Sequence, residues 1–114
     1  MIVHLDHPDP EAVPVRDAAT VMLVRDGDGG IEVFMLRRNL NSDFVGGAYV
    51  FPGGGVDETD SGPAVEAVCV GRSDDDASRL LGVERGGLAF WVAAIRESFE
   101  EAGLLLATDG GGAL

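Results

Sequence analysis

Three glutamates, Glu97, Glu100 and Glu101, lie close together in a segment with helical periodicity. At about 100° per residue their side chains share one face of the helix, with Cβ atoms about 5–6 Å apart. They occupy the last two turns, where the helix dipole is negative and each like-charged pair costs about 0.2–0.5 kcal/mol. A solvated polar face is the alternative interpretation. Clustered carboxylates are, however, the ligands that Mg²⁺ and Mn²⁺ prefer, so the pattern favours a divalent metal site.

Two neighbouring features fit such a site. Arg96 stands four residues before Glu100, so we expect its guanidinium to hold that carboxylate without binding the metal itself. Upstream, Gly53, Gly54 and Gly55 are predicted to form a turn. Because these residues lack a side chain, their backbone groups can approach a metal ion or a phosphate closely.

The glutamates require a helix that holds them in place. The periodicity predicts this helix over Leu88–Ala102, with Gly103 as a left-handed cap. Its opposite face carries an apolar stripe, which we expect to face the core. The stripe consists of Leu88, Trp91, Val92, Ile95, Phe99 and Ala102.

The segments before the glycines are β-rich. Ala18–Arg25 and Ile31–Arg38 are predicted strands, and Asp26–Gly30 between them is predicted to be a hairpin turn. The turn also resembles a calcium-binding loop, but such a loop needs Glu at its twelfth position, where Arg37 stands. Ala48–Phe51 is a further predicted strand.

Two short helices are predicted between the glycines and the main helix. Pro63–Val70 is expected to begin at its proline, and Ala77–Leu81 is expected to follow the cluster Ser73–Asp76. The aspartates in that cluster are interpreted as a solvated helix cap, with metal ligation as the less favoured alternative.

Composition limits the possible functions. The chain has 114 residues, 20 acidic and 8 basic, and a net charge of −12. All the basic residues are arginines, which excludes P-loop and Schiff-base chemistry, and the negative charge disfavours nucleic acid as a partner. Cys69 is the only cysteine, so there is no intrachain disulfide. No apolar run approaches the ~18 residues of a membrane span. We therefore expect a cytoplasmic protein with no membrane partner.

The glycines and the helix together resemble the Nudix hydrolases. The second half of the Nudix box stands at residues 96–104 as Arg-Glu-Ser-Phe-Glu-Glu-Ala-Gly-Leu, and the first half stands at 51–57 as Phe-Pro-Gly-Gly-Gly-Val-Asp. Gly54 is the box glycine, and Asp60 takes the position of the first box Glu. Ser98 replaces an aliphatic residue, and residues 61–95 separate Asp60 from Arg96 where the family has a short spacer. Such a split box is similar to that of the peroxisomal coenzyme A diphosphatases.

The resemblance covers about residues 18–106 and implies a fold and a domain organisation. It implies the α/β class, with a Nudix-type α/β/α sandwich around a mixed sheet, of which we expect the chain to contain only the N-terminal half. Residues 1–17 are expected to be an irregular lead-in, and residues 18–114 the incomplete Nudix domain. The insertion, at about 61–87, is expected to pack as a helical excursion beside the sheet.

The resemblance also implies roles for individual residues. Glu97, Glu100 and Glu101 would be catalytic metal ligands for Mg²⁺ or Mn²⁺, with the Gly53 carbonyl as a further ligand. Arg96 would orient them as part of the catalytic set.

Four further residues are candidate substrate contacts. Gly54 and Gly55 would lie close to the substrate phosphates. Arg37 and Arg38, which end the second predicted strand, could contact a phosphate, and a solvated strand end is an equally good interpretation for both. The general base is not identified by the sequence.

The implied activity is attack of water on the phosphoanhydride of a nucleoside diphosphate linked to another moiety, with coenzyme A or acyl-CoA favoured. The alternative is a module that binds a nucleotide without hydrolysing it. Because three strands cannot cover both faces of a sheet, we expect the isolated 114-residue chain to be marginally stable and inactive. A longer form with the rest of the domain is expected to be active.

Overall fold

The computed structural model describes residues 13–39, 41 and 47–113. Within these residues, six short strands precede three helices. The strands are β1 (Ala18–Thr20), β2 (Val24–Gly27), β3 (Gly30–Val33), β4 (Leu36–Arg37), β5 (Tyr49–Val50) and β6 (Gly53–Gly55). A 3₁₀ turn at Glu58–Asp60 leads to the helices α1 (Pro63–Glu66), α2 (Asp74–Leu81) and α3 (Leu88–Ala102).

Both long predicted strands are interrupted. Ala18–Arg25 is divided between β1 and β2, and Ile31–Arg38 between β3 and β4. Each piece pairs with a different strand. Strand β1 pairs with β6, β2 with β3, and β4 with β5, all antiparallel. In the described part of the chain these are three separate two-stranded sheets rather than the one mixed sheet that was expected. The combination of strands and helices is of the expected α/β class.

The predicted hairpin is confirmed. Strands β2 and β3 pair with Arg25 opposite Glu32, and the turn lies at residues 28–29. Gly30 has a φ of +126°, a conformation that side chains other than hydrogen disfavour. Arg25 Nε donates to Glu32 Oε2 at 2.6 Å, but both side chains are exposed, so this ion pair stabilises the hairpin only weakly.

The prediction of a turn at the three glycines was wrong. Gly53–Gly55 form strand β6, with Gly53 opposite Thr20 and Gly55 opposite Ala18. Glycine is disfavoured in strands because it has no side chain to pack. Here the paired strand β1 leaves no room for a side chain, since a Cβ at Gly53 would lie 2.5 Å from the Ala19 carbonyl oxygen.

Helix α3 follows the prediction closely, whereas α2 starts at Asp74, three residues before its predicted first residue. Helix α3 has the predicted bounds and ends at Gly103 with a φ of +68°. Helix α2 begins after Ser73, whose hydroxyl accepts a hydrogen bond from the Asp76 amide. Helix α1 stops at Glu66, four residues before the predicted end. Both α1 and α2 lie within the predicted insertion at 61–87.

The expected core-facing stripe of α3 is confirmed only in part: Leu88 belongs to the core at 6% exposure, but Phe99 is exposed. The fully buried positions of α3 include Ala93 and Ser98, both 0% exposed, whereas Phe99 is 55% exposed. Helix α3 packs on β1 and β6 through the side that also carries Glu97, because small alanines on that side allow a close approach to the glycine strand. Trp91, Val92 and Ile95 border a half-open apolar groove together with Val65 and Val68.

The predicted domain boundaries remain a prediction. Most of the expected lead-in, residues 1–12, lies outside the described residues, and residues 13–17 form no helix or strand. None of the helices in the described ranges has the length and apolar character that crossing a lipid bilayer requires.

Candidate active site

The backbone N–H and C=O groups of the glycine strand β6 form one side of the site. In the ladder with β1, the Val21 amide donates to the Pro52 carbonyl and the Val56 amide donates to the Asp17 carbonyl, each at 2.9 Å. Hydrogen-bonded and non-hydrogen-bonded positions alternate along an antiparallel ladder. The backbone groups of residues 53 and 55 therefore point away from β1. They are available to groups from elsewhere in the chain, and helix α3 supplies those groups.

The contact between Gly54 and Glu97 requires glycine. A Cβ atom at residue 54 would lie 2.4 Å from the Glu97 carboxylate carbon, so any larger residue would displace that carboxylate. The Glu97 side chain is largely buried, at 16% exposure. The box glycine thus creates the space that Glu97 occupies.

Glu101 joins the end of α3 to the start of β6. Its Oε1 atom accepts a hydrogen bond from the Gly53 amide at 3.2 Å, across 48 residues of sequence. The Gly53 carbonyl, which the resemblance implies as a metal ligand, belongs to the same residue. The glycine strand and the last turn of α3 are therefore in direct contact.

Arg96 is the centre of the polar network. Its Nη1 atom donates to Glu97 Oε1 at 2.9 Å and to Glu100 Oε2 at 3.2 Å. Its Nη2 atom donates to the Gly55 carbonyl at 2.8 Å. The contact with Glu100 expected from the four-residue spacing is present. These contacts place both glutamates beside the glycine strand and neutralise part of their charge.

Asp60 holds Arg96 from the other side. Arg96 Nε donates to Asp60 Oδ1 at 2.7 Å, and Nη2 donates to Oδ2 at 2.9 Å, which gives a bidentate pair. Asp60 is only 2% exposed and also accepts the Asp57 amide at 2.8 Å. Hydrogen bonding to Arg96 lowers the pKa of Asp60, and the same bond raises the pKa of Arg96. Both groups are therefore charged at neutral pH.

The sequence interpretation did not assign this role to Asp60. The signal was available, since Asp60 takes the position of the first box Glu and follows Asp57 by three residues, the spacing of a capping box. Asp is shorter than Glu, and the 3₁₀ turn at Glu58–Asp60 brings its carboxylate to Arg96.

The three carboxylates have the chemistry of a divalent metal site. Each of Glu97, Glu100 and Glu101 uses one oxygen for the hydrogen bonds above, which leaves its second oxygen to bind a cation. In the described part of the chain, no three acidic, histidine or cysteine side chains form a preformed metal centre. The donor types fit Mg²⁺ or Mn²⁺, and the assignment of these residues as ligands remains a prediction.

Arg37 lies in a different sheet, and Arg38 directly follows its strand. Arg37 is in β4, opposite Tyr49 of β5, and its guanidinium lies 6.0 Å from the centre of the Tyr49 ring. The Arg38 amide donates to the Ala48 carbonyl at 2.8 Å. Both arginines are exposed. Their predicted contact with a phosphate is not tested by this arrangement.

The chain is similar to proteins of known family. No family profile matches the sequence. The chain is 32% identical to the acyl-coenzyme A diphosphatase NUDT19 of Gallus gallus over 126 aligned positions, which cover 84% of this chain and 33% of the relative. It is 32% identical to the acyl-coenzyme A diphosphatase NUDT19 of Xenopus laevis over 95 positions, which cover 66% of this chain and 25% of the relative.

A solved structure agrees with these relatives. A Nudix hydrolase from Alicyclobacillus acidocaldarius matches with a TM-score of 0.63 and 35% identity over 90% of this chain and 43% of that chain. The chain thus spans a quarter to a third of the length of the curated relatives it matches. These identities and the structural likeness show that the chain belongs to the Nudix hydrolase family.

Proposed function

We propose that the protein carrying this chain is a metal-dependent hydrolase of nucleoside diphosphate derivatives, with coenzyme A or acyl-CoA as its preferred substrate. The observation that carries the proposal is the contact of Arg96 with Glu97, Glu100 and the Gly55 carbonyl. It holds the acidic face of α3 beside the backbone of the glycine strand. The substrate preference is supported by the chicken and frog relatives, both named as acyl-coenzyme A diphosphatases.

In this proposal Glu97, Glu100, Glu101 and the Gly53 carbonyl hold Mg²⁺ or Mn²⁺. Such an ion, when bound, screens the charge of a diphosphate and lowers the pKa of water. A cation is needed because the site itself is acidic and the chain has a net charge of −12, both of which repel an anionic substrate.

The chain's own residues then have three tasks. Arg96 fixes the glutamates through the hydrogen bonds described above, and Asp60 fixes Arg96. Gly54 and Gly55 present backbone without side chains, which gives the phosphates close access. Arg37 and Arg38 are retained as candidate phosphate contacts, and no residue is assigned as the general base.

A direct assay tests the proposal. The gene product that contains these 114 residues is incubated with coenzyme A, an acyl-CoA, ADP-ribose, NADH and a nucleotide sugar, and the products are identified by mass spectrometry. We expect two phosphate monoesters from coenzyme A or acyl-CoA with Mg²⁺ or Mn²⁺ present, and no products in excess chelator. Equal turnover of all substrates would remove the coenzyme A preference.

The alternative of a nucleotide-binding module makes a different prediction in the same experiment. Such a module binds the nucleotide without a divalent cation and releases no product under any condition. Hydrolysis that persists in excess chelator would contradict both the metal site and the proposed mechanism. A cytoplasmic location also stays a prediction, which microscopy of a tagged protein tests.

A further inference from the structure

Helix α3 has no capping side chain of its own. Its N-cap residue is Gly87, which makes no side-chain hydrogen bond. The first amides of a helix have no partners within the helix and need acceptors from elsewhere. In this protein the acceptors come from α2, a helix of the insertion that splits the Nudix box.

Two residues of α2 provide these acceptors. Asp74 Oδ1 accepts the Leu88 amide at 3.0 Å, and Asp74 Oδ2 accepts the Gly86 amide at 2.9 Å. Between them, the Gly87 amide donates to Ser78 Oγ at 2.8 Å. Three consecutive amides at the start of α3 are thus bound by the insertion.

The packing at this junction is close. A Cβ atom at Gly87 would lie 2.3 Å from the Ser78 amide nitrogen and 2.5 Å from the Ala77 carbonyl carbon. Ala77 is 0% exposed and Ser78 is 4% exposed. Because the obstructing atoms are backbone, which cannot move aside as a side chain can, α2 and the start of α3 are locked to each other.

We propose that Asp74 and Ser78 are positioning residues of the candidate active site. They fix the N-terminal end of α3, and the position of that end determines where the acidic end of the same helix meets the glycine strand. The insertion is then a functional support of the split box. This inference rests on the proposed function only in that it takes the acidic end of α3 to be an active site. Whether Asp74 and Ser78 position that end can be measured without an activity assay.

Helix α3 is held at three points along its length. Asp74 and Ser78 bind its first turn, Asp60 binds Arg96 in its third turn, and the Gly53 amide binds Glu101 in its last turn. Two contacts near one end would leave the helix free to tilt. Restraint at the other end limits that freedom, and within the described ranges Asp74 and Ser78 of the insertion provide it through their side chains. Hydrogen bonds from the Gly86 and Leu88 amides also lower the pKa of Asp74, so its carboxylate is ionised at neutral pH.

The test compares Asp74→Ala with Asp74→Asn and with Asp75→Ala. Asp75 is an exposed acid in the same turn of α2 and is the matched control. Asn keeps one side-chain oxygen as an acceptor, so Asp74→Asn tests rescue by a conservative change. Amide hydrogen exchange of the natural protein and each variant is measured at Gly86, Leu88 and Gly53.

The Gly53 amide is the decisive probe, because it donates to Glu101 and so reports the position of the far end of α3. We expect Asp74→Ala to accelerate exchange about tenfold at Gly86 and Leu88, the scale of losing a helix cap. We expect exchange at Gly53 to accelerate at least about threefold. Asp74→Asn, which has one acceptor oxygen where Asp74 uses two, should recover protection at only one of Gly86 and Leu88, and Asp75→Ala should match the natural protein.

Two results would overturn the proposal. Unchanged exchange at all three amides in Asp74→Ala would show that α2 does not cap α3. Faster exchange at Gly86 and Leu88 with natural exchange at Gly53 would show a local cap that does not position the acidic end. A natural protein with no hydrolytic activity would instead contradict the proposed function, while the exchange at Gly53 would still decide this inference.

Discussion

The Arg96 guanidinium and the Asp60 carboxylate form a bidentate ion pair with distances of 2.7 and 2.9 Å, although the whole insertion separates them in the sequence. The pair joins the end of the first half of the Nudix box to the start of the second half. Its closure explains how a box interrupted by α1 and α2 can still present one acidic surface.

Asp60→Asn should be strongly destabilising. It leaves Arg96, which is only 22% exposed, without its main partner, and breaking a buried pair in this way costs about 3 kcal/mol. Urea unfolding monitored by Trp91 fluorescence measures the loss. Glu58→Gln, an exposed acid in the same 3₁₀ turn, is the control and should change the free energy of unfolding by less than about 0.5 kcal/mol. Equal effects of both substitutions would contradict the role of the pair.

The same pair predicts a pH dependence of stability. Because Arg96 lowers the pKa of Asp60 in the folded protein, the contribution of Asp60 is complete above its ordinary value of 3.8. It is lost as the pH falls below 3.8 through the lowered value. The difference in unfolding free energy between the natural protein and Asp60→Asn should therefore be constant from neutral pH to about pH 5 and shrink at lower pH. If the difference in unfolding free energy instead grew on acidification, the pH dependence would have the opposite sign. Stabilisation of ionised Asp60 by Arg96 would then be excluded.

Adjacent glycines should respond differently to alanine. At Gly53 the new Cβ would meet backbone atoms of Ala19 and Thr20, so Gly53→Ala should lower the free energy of unfolding by about 1–3 kcal/mol. At Gly54 it would meet the Glu97 carboxylate, which can move aside. Gly54→Ala should therefore fold but lose at least about 90% of its activity, because Glu97 is displaced.

Unfolding curves and hydrolysis rates of both variants test this distinction. If Gly54→Ala were the less stable variant and kept natural activity, the assignment of Gly54 as the space for Glu97 would be wrong.

Glu101→Gln should separate catalysis from folding. The substitution keeps an oxygen that can accept the Gly53 amide but removes a charge, so kcat should fall by about 100-fold or more. The free energy of unfolding should stay constant or rise by about 0.2–0.5 kcal/mol, since repulsion with Glu97 is relieved. Glu66→Gln, an exposed acid on α1, is the control for charge alone. A loss of activity that only follows unfolding would favour a solvated acidic face without catalytic role.

The packing of α3 gives a prediction opposite to the one from helical periodicity. Ala93 is 0% exposed and Phe99 is 55% exposed. In the 114-residue chain, Ala93→Leu should therefore cost about 1–3 kcal/mol through overpacking, and Phe99→Ala less than about 1 kcal/mol. Thermal or urea unfolding of the two variants gives the comparison directly. The reverse order would support the original assignment of Phe99 to the core.

Local signals in the sequence were sufficient for α3 and the β2–β3 hairpin. Gly103 ends the helix in the left-handed conformation, and Gly30 provides the positive φ of the hairpin. Both features depend on residues close in sequence. The α/β class and the Nudix family followed from the motif in the same way.

The other features depend on contacts distant in sequence. The glycine strand was not predictable from propensity, because its pairing with β1 is decided by the close approach of Ala19 to Gly53. The buried face of α3 was assigned only in part, because periodicity identified Leu88 but not the small buried residues Ala93 and Ser98. The role of Asp60 required the fold, since its partner Arg96 lies beyond the insertion.

Binding of Mn²⁺, followed by the loss of the free-ion signal in electron paramagnetic resonance, tests the central claim that the acidic face of α3 is a divalent metal site. The natural chain is compared with a variant carrying Glu97→Gln, Glu100→Gln and Glu101→Gln together, whose fold is checked by circular dichroism. We expect saturable uptake of Mn²⁺ by the natural chain, competition by Mg²⁺, and at least about tenfold weaker uptake by the folded variant. Equal uptake by both proteins, or none by the natural chain, would contradict this claim.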